Sequence, residues 1–241
     1  MTIRVAMWSG PRNISTAMMR SWENRPDCVV IDEPLYAYFL DYSGRDDPGR
    51  DEIIAAGTTD WREVVRELTG PVPGEPAVFY QKQMPHHLTP EMDLDWVDGL
   101  RNALLIREPH EVVASYSKGR SDLVREDLGL VQQVALFDRL RAEGTEVPVI
   151  DAADFLRDPE GYLRWLCDWL GIDFTDRMLH WPQGSRDTDG VWASHWYAAV
   201  EKSTGFAPYQ PREVRLEGET LRLAEQSVAD YEYLAAHRLR L

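Results

Sequence analysis

The stretch IRVAMWSGPRNISTAMMRSWENRP, residues 3–26, sets an apolar run ending in Trp8 directly before Ser9, Gly10, Pro11, Arg12, Asn13, Ile14, Ser15 and Thr16, where a helical pattern begins. A strand, a tight turn and a helix N-terminus make a ready anion site. The first N–H groups of the helix have no partner and the helix dipole adds partial positive charge. Arg12 supplies a full charge, and Ser15 and Thr16 supply hydroxyl donors. An ATP-binding loop would carry its second Gly and its Lys where Ser15 and Thr16 stand. The bland alternative is an ordinary turn in which Ser15 caps the helix and Arg12 is solvated.

A second group lies in LLIREPHEVVASYSKGR, residues 104–120. Arg107 ends a strand, Pro109 opens a helix, and Ser115 lies within it. Arg107 can grip phosphate or sulfate oxygens with two parallel N–H groups, or it can simply pair with Glu111. Three further strand-end positions carry ionisable groups. Glu33 follows CVVID, Lys82 ends AVFYQK, and His86 and His87 follow in MPHHL. A carboxylate or an imidazole at a strand end is a candidate general base, given a suitable pKa and hydrogen-bond reach. No His/Cys cluster or carboxylate pair shows metal-ligand spacing, so no metal is expected.

These residues must be positioned by alternating elements. Strands are expected over 3–9, 28–32, 77–82, 102–107 and 147–152. Helices are expected over 15–24, 61–70 (ended by Gly70), 109–120, about 127–143, 159–171 and about 217–238. The stretch 44–51 reads as a polar loop. Alternation of this kind predicts an α/β fold, three layers with a central, mainly parallel sheet flanked by helices. No repeat, low-complexity tract or linker divides the chain, so residues 1–241 are read as a single domain. In open parallel sheets ligands gather at the carboxyl ends of the strands, which is where Gly10–Thr16, Glu33, Lys82 and Arg107 fall.

Composition narrows the partners. The formal net charge of −15 over 241 residues argues against a nucleic-acid or anionic-membrane binder, which needs a broad basic surface. A small anionic ligand is still accommodated by a few basic residues in one pocket. Cys28 and Cys167 read as small core residues rather than a disulfide framework. With no leader-like or membrane-spanning run, the cytoplasm is the expected location.

The turn Pro11-Arg12-Asn13-Ile14-Ser15-Thr16 resembles the loop that holds the 5′-phosphosulfate in sulfotransferases, which use 3′-phosphoadenosine 5′-phosphosulfate (PAPS) as donor. Asn13 and Ile14 stand where that family has Ser-Gly. The run Arg107-x-Pro109-x-Glu111-x-x-x-Ser115 resembles the family's 3′-phosphate-binding stretch. In SRDTDGVWASHW, Arg186, Gly190 and Trp192 resemble the late loop that closes over the nucleotide, with Ser185 and Asp187 departing from it.

The resemblance implies a fold of the P-loop type and transfer of a sulfuryl group from PAPS to a hydroxyl or amine of a small organic acceptor. Gly10, Pro11, Arg12, Asn13, Ile14, Ser15, Thr16, Arg107, Ser115 and Arg186 would bind the donor, and Arg12 and Lys82 would stabilise the transferred charge. Glu33 would be the base. Lys82 also matches the Lys of a Lys-Thr-His signature whose His is replaced here by Met84, which leaves His86 and His87 as the second choice. Tyr36, Tyr38, Phe39, Tyr42 and Trp61 would line an acceptor pocket, or would serve as ordinary core aromatics. A P-loop small-molecule kinase and a non-catalytic nucleotide-binding protein are the competing readings, and homodimerisation is left open.

Overall fold

The computed structural model describes residues 2–120, 122–211 and 213–241. Along these the order is β1 (Ile3–Ser9), α1 (Ser15–Glu23), β2 (Cys28–Asp32), α2 (Tyr36–Ser43), α3 (Arg50–Ala56), α4 (Trp61–Thr69), β3 (Val78–Gln83), β4 (Arg101–Ile106), α5 (Pro109–Tyr116), α6 (Leu130–Ala142), β5 (Val149–Asp151), α7 (Ala152–Arg157), α8 (Pro159–Leu170), α9 (Ala193–Trp196) and α10 (Gly218–Ala236). The five strands form one parallel sheet in the order β2-β3-β1-β4-β5. The expected three-layer α/β fold is the observed one.

Strand β1 shows why the sheet is buried on both faces. Successive side chains of a strand point to opposite sides. Val5 and Met7 join one core cluster with Met18, Met19 and Trp22 of α1 and with Leu163 and Leu166 of α8. Ala6 and Trp8 join another with Leu136 and Phe137 of α6 and Leu234 of α10. All four β1 residues have no solvent exposure, as a parallel sheet covered by helices requires.

Local signals misplace some boundaries. Helices α3 and α7 are short and were not expected. The long helix expected near 127–143 is present but starts later: a 3₁₀ turn covers Arg125–Leu128, and α6 starts after Gly129, whose φ is +74°. That later start lets backbone approach backbone. A Cβ added to Gly10 would lie 2.2 Å from the Leu128 carbonyl oxygen, and one on Gly129 would lie 3.4 Å from Gly10 Cα. Gly10→Ala therefore forces rigid backbone apart. It is expected to cost about 1–3 kcal/mol of stability, as overpacking typically does, measured as a shift in the denaturant midpoint. An unshifted midpoint would show that the turn relaxes freely.

In this strand order, β2 and β3 lie on one side of β1, and β4 and β5 on the other. The connections reverse direction at β1, so a crevice opens at its carboxyl end.

Candidate active site

A cavity of about 350 Å³ fills that crevice. On one side it is walled by Pro11–Ala17, the loop after β1 and the first turn of α1. Ile14 takes the N-cap position, and no side chain caps α1. Ser15 is thus the first helical residue and not the cap, and the helix's first N–H groups keep their capacity for an anion. Asn13 fixes the loop instead. Its Oδ1 accepts from Ile14 N at 2.8 Å, and its Nδ2 donates to the Leu105 carbonyl of β4 at 3.1 Å. Gly10 does not line this cavity. It packs under the loop, against Leu128.

Two basic residues separated by 95 positions meet here. Arg12 Nε donates to Ser115 Oγ of α5 at 3.0 Å, and Arg107 Nη1 donates to the Arg12 carbonyl at 3.0 Å. Arg107, Ser115, Arg12 and Thr16 all line the cavity. Burial and the nearby Arg107 charge lower the pKa of Arg12, against the opposing effect of Tyr116, so this end of the cavity favours an anion. Arg107 also donates from Nε and Nη2 to Glu111 Oε2, at 3.0 and 2.7 Å. Both the anion-facing placement and the Glu111 pairing are therefore present together. Among the described residues, one N–H on each of Nη1 and Nη2 is left over.

Across the crevice, Lys82 of β3 is almost completely buried. Its ammonium donates to Asp32 Oδ1 at 2.9 Å, Glu33 Oε1 at 2.6 Å and the Tyr197 hydroxyl at 2.6 Å. Tyr197 in turn donates to Asp32 Oδ2 at 2.6 Å. Burial works against the Lys82 charge, but Asp32 and Glu33 outweigh it and hold the pKa well above the usual value. Burial raises the pKa of Glu33, which Lys82 opposes and Asp32 reinforces. Glu33 Oε2 has no hydrogen bond within the described protein and is not sealed off.

Arg12 and Glu33 share a backbone signature. Their φ angles are +55° and +41°, a left-handed conformation that costs a non-glycine residue on the order of 1–3 kcal/mol. Each stands just past a strand end and is turned into the same cavity.

The remaining expected residues divide. Tyr36, His86 and His87 line the cavity. Tyr38 and Trp61 do not: they pack with Val64, Leu68 and Phe79 in a separate cluster. Tyr42 is exposed. The stretch 36–43 is helical, and residues two apart on a helix face opposite sides, so Tyr36 and Tyr38 are separated. Phe39 lies behind the His rings rather than in the wall. Arg186 is not brought to the cavity. It donates to the Ser185 carbonyl at 3.0 Å and lies 3.7 Å from Glu23 Oε2.

Asp32, Asp47, Tyr116 and Tyr197 carry site geometry that motif reading missed. A Tyr after two Trp residues in the late segment has no motif of its own. Only the folded segment shows it latched to the strand ends, where Gly190 N also donates to Asp32 Oδ2 at 3.2 Å.

Fold and site together define a three-layer α/β protein with a strand-end cavity that is basic on one side and holds a buried acid–lysine cluster on the other. The chain belongs to the sulfotransferase domain family: the profile described as "Sulfotransferase domain" matches residues 3–224. Solved structures agree on the fold. The sulfotransferase domain of the Curacin biosynthetic pathway superposes with a TM-score of 0.56 at 16% identity, covering 94% of this chain and 97% of that one. A sulfotransferase from Alicyclobacillus acidocaldarius gives 0.54 at 18%, covering 99% and 98%. The sulfotransferase domain of the Synechococcus PCC 7002 olefin synthase gives 0.54 at 16%, covering 94% and 95%.

By sequence the chain is similar to two Arabidopsis thaliana proteins, branched-chain-amino-acid aminotransferase-like proteins 2 and 1. They are 35% and 37% identical over 230 and 232 residues, 95% of this chain in both cases. The chain spans 41% of the length of each. Family and fold support a transferase of the sulfotransferase class. Among the described residues no helix is long and apolar enough to cross a membrane.

Proposed function

We propose that this chain moves a sulfuryl group from PAPS to a hydroxyl or amine of a small organic acceptor. The observation that carries the reading is the convergence of Arg12, Arg107 and Ser115 with the uncapped start of α1, in a cavity whose other wall holds Glu33 and Lys82. The donor set suits a molecule bearing two anionic groups: loop amides and Arg12 for one, Arg107 and Ser115 for the other. When bound, PAPS supplies the sulfuryl group and a phosphate oxygen as leaving group.

The residues divide the remaining work. Arg12 and the α1 amides are preorganised charge for the leaving phosphate. Lys82 stays cationic because Asp32 holds it whatever the state of Glu33. Glu33 Oε2 takes the acceptor proton. Its raised pKa makes it a stronger base than an ordinary carboxylate, whereas burial pushes the His86 imidazole down to about 4 and holds His87 well below its usual value. A group of lower pKa is the weaker base. Glu33 therefore stays ahead of the His pair.

Thermal stabilisation tests the donor half. Adenosine 3′,5′-bisphosphate is expected to raise the melting temperature in a concentration-dependent way, and Mg-ATP is not. Stabilisation by Mg-ATP alone would favour the kinase reading. In calorimetry, Arg107→Ala should weaken bisphosphate binding by about 1.5–3 kcal/mol and abolish the preference over adenosine 5′-monophosphate. Unchanged discrimination would remove Arg107 from the donor site.

A further inference from the structure

The acceptor end of the cavity has its own polar arrangement. His87 is 1% exposed. Its ring is held between Tyr36, at 4.8 Å and 10°, and Phe39, at 4.9 Å and 26°, and it meets His86 edge-on at 4.5 Å. Both imidazoles line the cavity. In each, Nδ1 is sealed from solvent and has no hydrogen-bond partner among the described residues. Among the described residues Nε2 has no hydrogen-bond partner, and it is not sealed, so it is the atom each ring offers to a ligand.

The charges around His86 oppose one another, whereas those around His87 act in the same direction as burial. Asp127, Arg45, Asp47 and Arg120 act on His86, and His86, Lys82 and Arg45 act on His87. Arg45 and Arg120 are themselves paired with Asp47, and Arg45 also with Asp127. Burial then decides, and both rings are neutral near neutral pH. A neutral imidazole carries one N–H and one lone pair. A buried N–H without a partner is rarer in proteins than an under-satisfied acceptor, which puts the lone pair on Nδ1 and the proton on Nε2.

We propose that His86 and His87 are paired hydrogen-bond donors, through Nε2–H, that select a neutral acceptor bearing a second oxygen beside the hydroxyl to be sulfated: a diol or polyol, not an amine. This rests on the sulfuryl-transfer reading and narrows it. Two N–H donors repel an ammonium group. The Lys82–Asp32–Glu33 cluster carries one net negative charge, which disfavours a carboxylate-bearing acceptor. Glu33 and His87 are joined through Tyr36, whose N–H donates to the Glu33 carbonyl at 3.0 Å while its ring stacks on His87. One small molecule can thus face both groups. An Nε2–H nitrogen has no lone pair with which to take a proton, so the same geometry makes the His pair a recognition element rather than the base.

Two measurements on the whole chain test this. Ring ¹⁵N shifts should show both imidazoles neutral with Nε2 protonated near neutral pH. Imidazolium, or the Nδ1–H form, overturns the proposal. Calorimetry with trans-1,2-cyclohexanediol, cyclohexanol and cyclohexylamine, without nucleotide, should rank the diol about ten-fold above the alcohol, the worth of one good hydrogen bond. The amine should bind no better than the alcohol. His87→Phe should remove the gap and His87→Gln, which keeps a donor, should retain part of it. A gap that survives both His86→Phe and His87→Phe, or preference for the amine, overturns the proposal. Failure of adenosine 3′,5′-bisphosphate to bind would count against the donor reading alone, because these measurements omit it.

Discussion

Glu33→Gln is expected to lower sulfate transfer by a factor of about 10² to 10⁴, the usual loss when a general base is removed. Gln keeps the size of the side chain and an amide oxygen that can still accept from Lys82. It cannot take a proton. Bisphosphate affinity should change little, since Arg12, Ser115 and Arg107 hold the donor side. The pH dependence adds a second signature. Burial, offset by Lys82 and reinforced by Asp32, places the Glu33 pKa above the ordinary carboxylate value. Turnover of the unmodified protein should therefore fall as pH drops through a point above about 4.3, and the Gln variant should lack that acidic limb. Near-normal turnover in Glu33→Gln, with an inactive His86 or His87 variant, would move the base to the His pair and would also contradict the tautomer assigned above.

The second large effect is on stability. Lys82→Met should destabilise the fold by about 3–5 kcal/mol, because removing one partner of a buried ion pair leaves the other charge uncompensated. Asp32 and Glu33 would then share the interior with, among the described residues, only the Tyr197 hydroxyl and the Gly190 amide as donors to Asp32. The deficit should depend on pH. Without the ammonium, Glu33 keeps the burial and the Asp32 charge that raise its folded pKa and loses the Lys82 charge that opposes them. Protonation of Glu33 then favours the folded state, so the deficit shrinks as pH falls and grows as pH rises through its folded pKa. Adding Asp32→Asn should restore part of the loss. Urea midpoints for the single and double variants across pH check this. A midpoint unchanged by Lys82→Met would mean that the cluster is hydrated and loosely held.

Much of the candidate site was legible because its signals are local. A strand, a turn and a helix start are written in consecutive residues, and so is the spacing of Arg107, Pro109 and Ser115 along one strand-to-helix connection. Placement at the sheet's carboxyl edge follows from strand alternation alone, and it brought Arg12, Glu33, Lys82 and Arg107 to one crevice. The aromatic stretch was less legible. Read as a list of residues, Tyr36, Tyr38, Phe39 and Tyr42 formed one wall, but helical periodicity sends only Tyr36 into the cavity and Tyr38 into a different core cluster. The start of the long helix near 127–143 was misplaced for a related reason. Gly129 satisfies a contact with Gly10, more than a hundred positions away, that no local pattern announces.

By itself the sequence determined the α/β class, the order of the five strands along the chain, the anion-suited turn after β1 and the identity of the residues competing for the role of base. Each of these depends on propensity and periodicity over short spans. Only the tertiary structure decided which partners those residues find. It set Lys82 between two carboxylates and a tyrosine, joined Tyr197 to Asp32 across 165 positions, turned Arg186 onto its own loop, and sealed Nδ1 of both histidines. Burial, and the pKa shifts that follow from it, are properties of all the chain packed around a group, so they come into existence only when distant segments close over the same crevice.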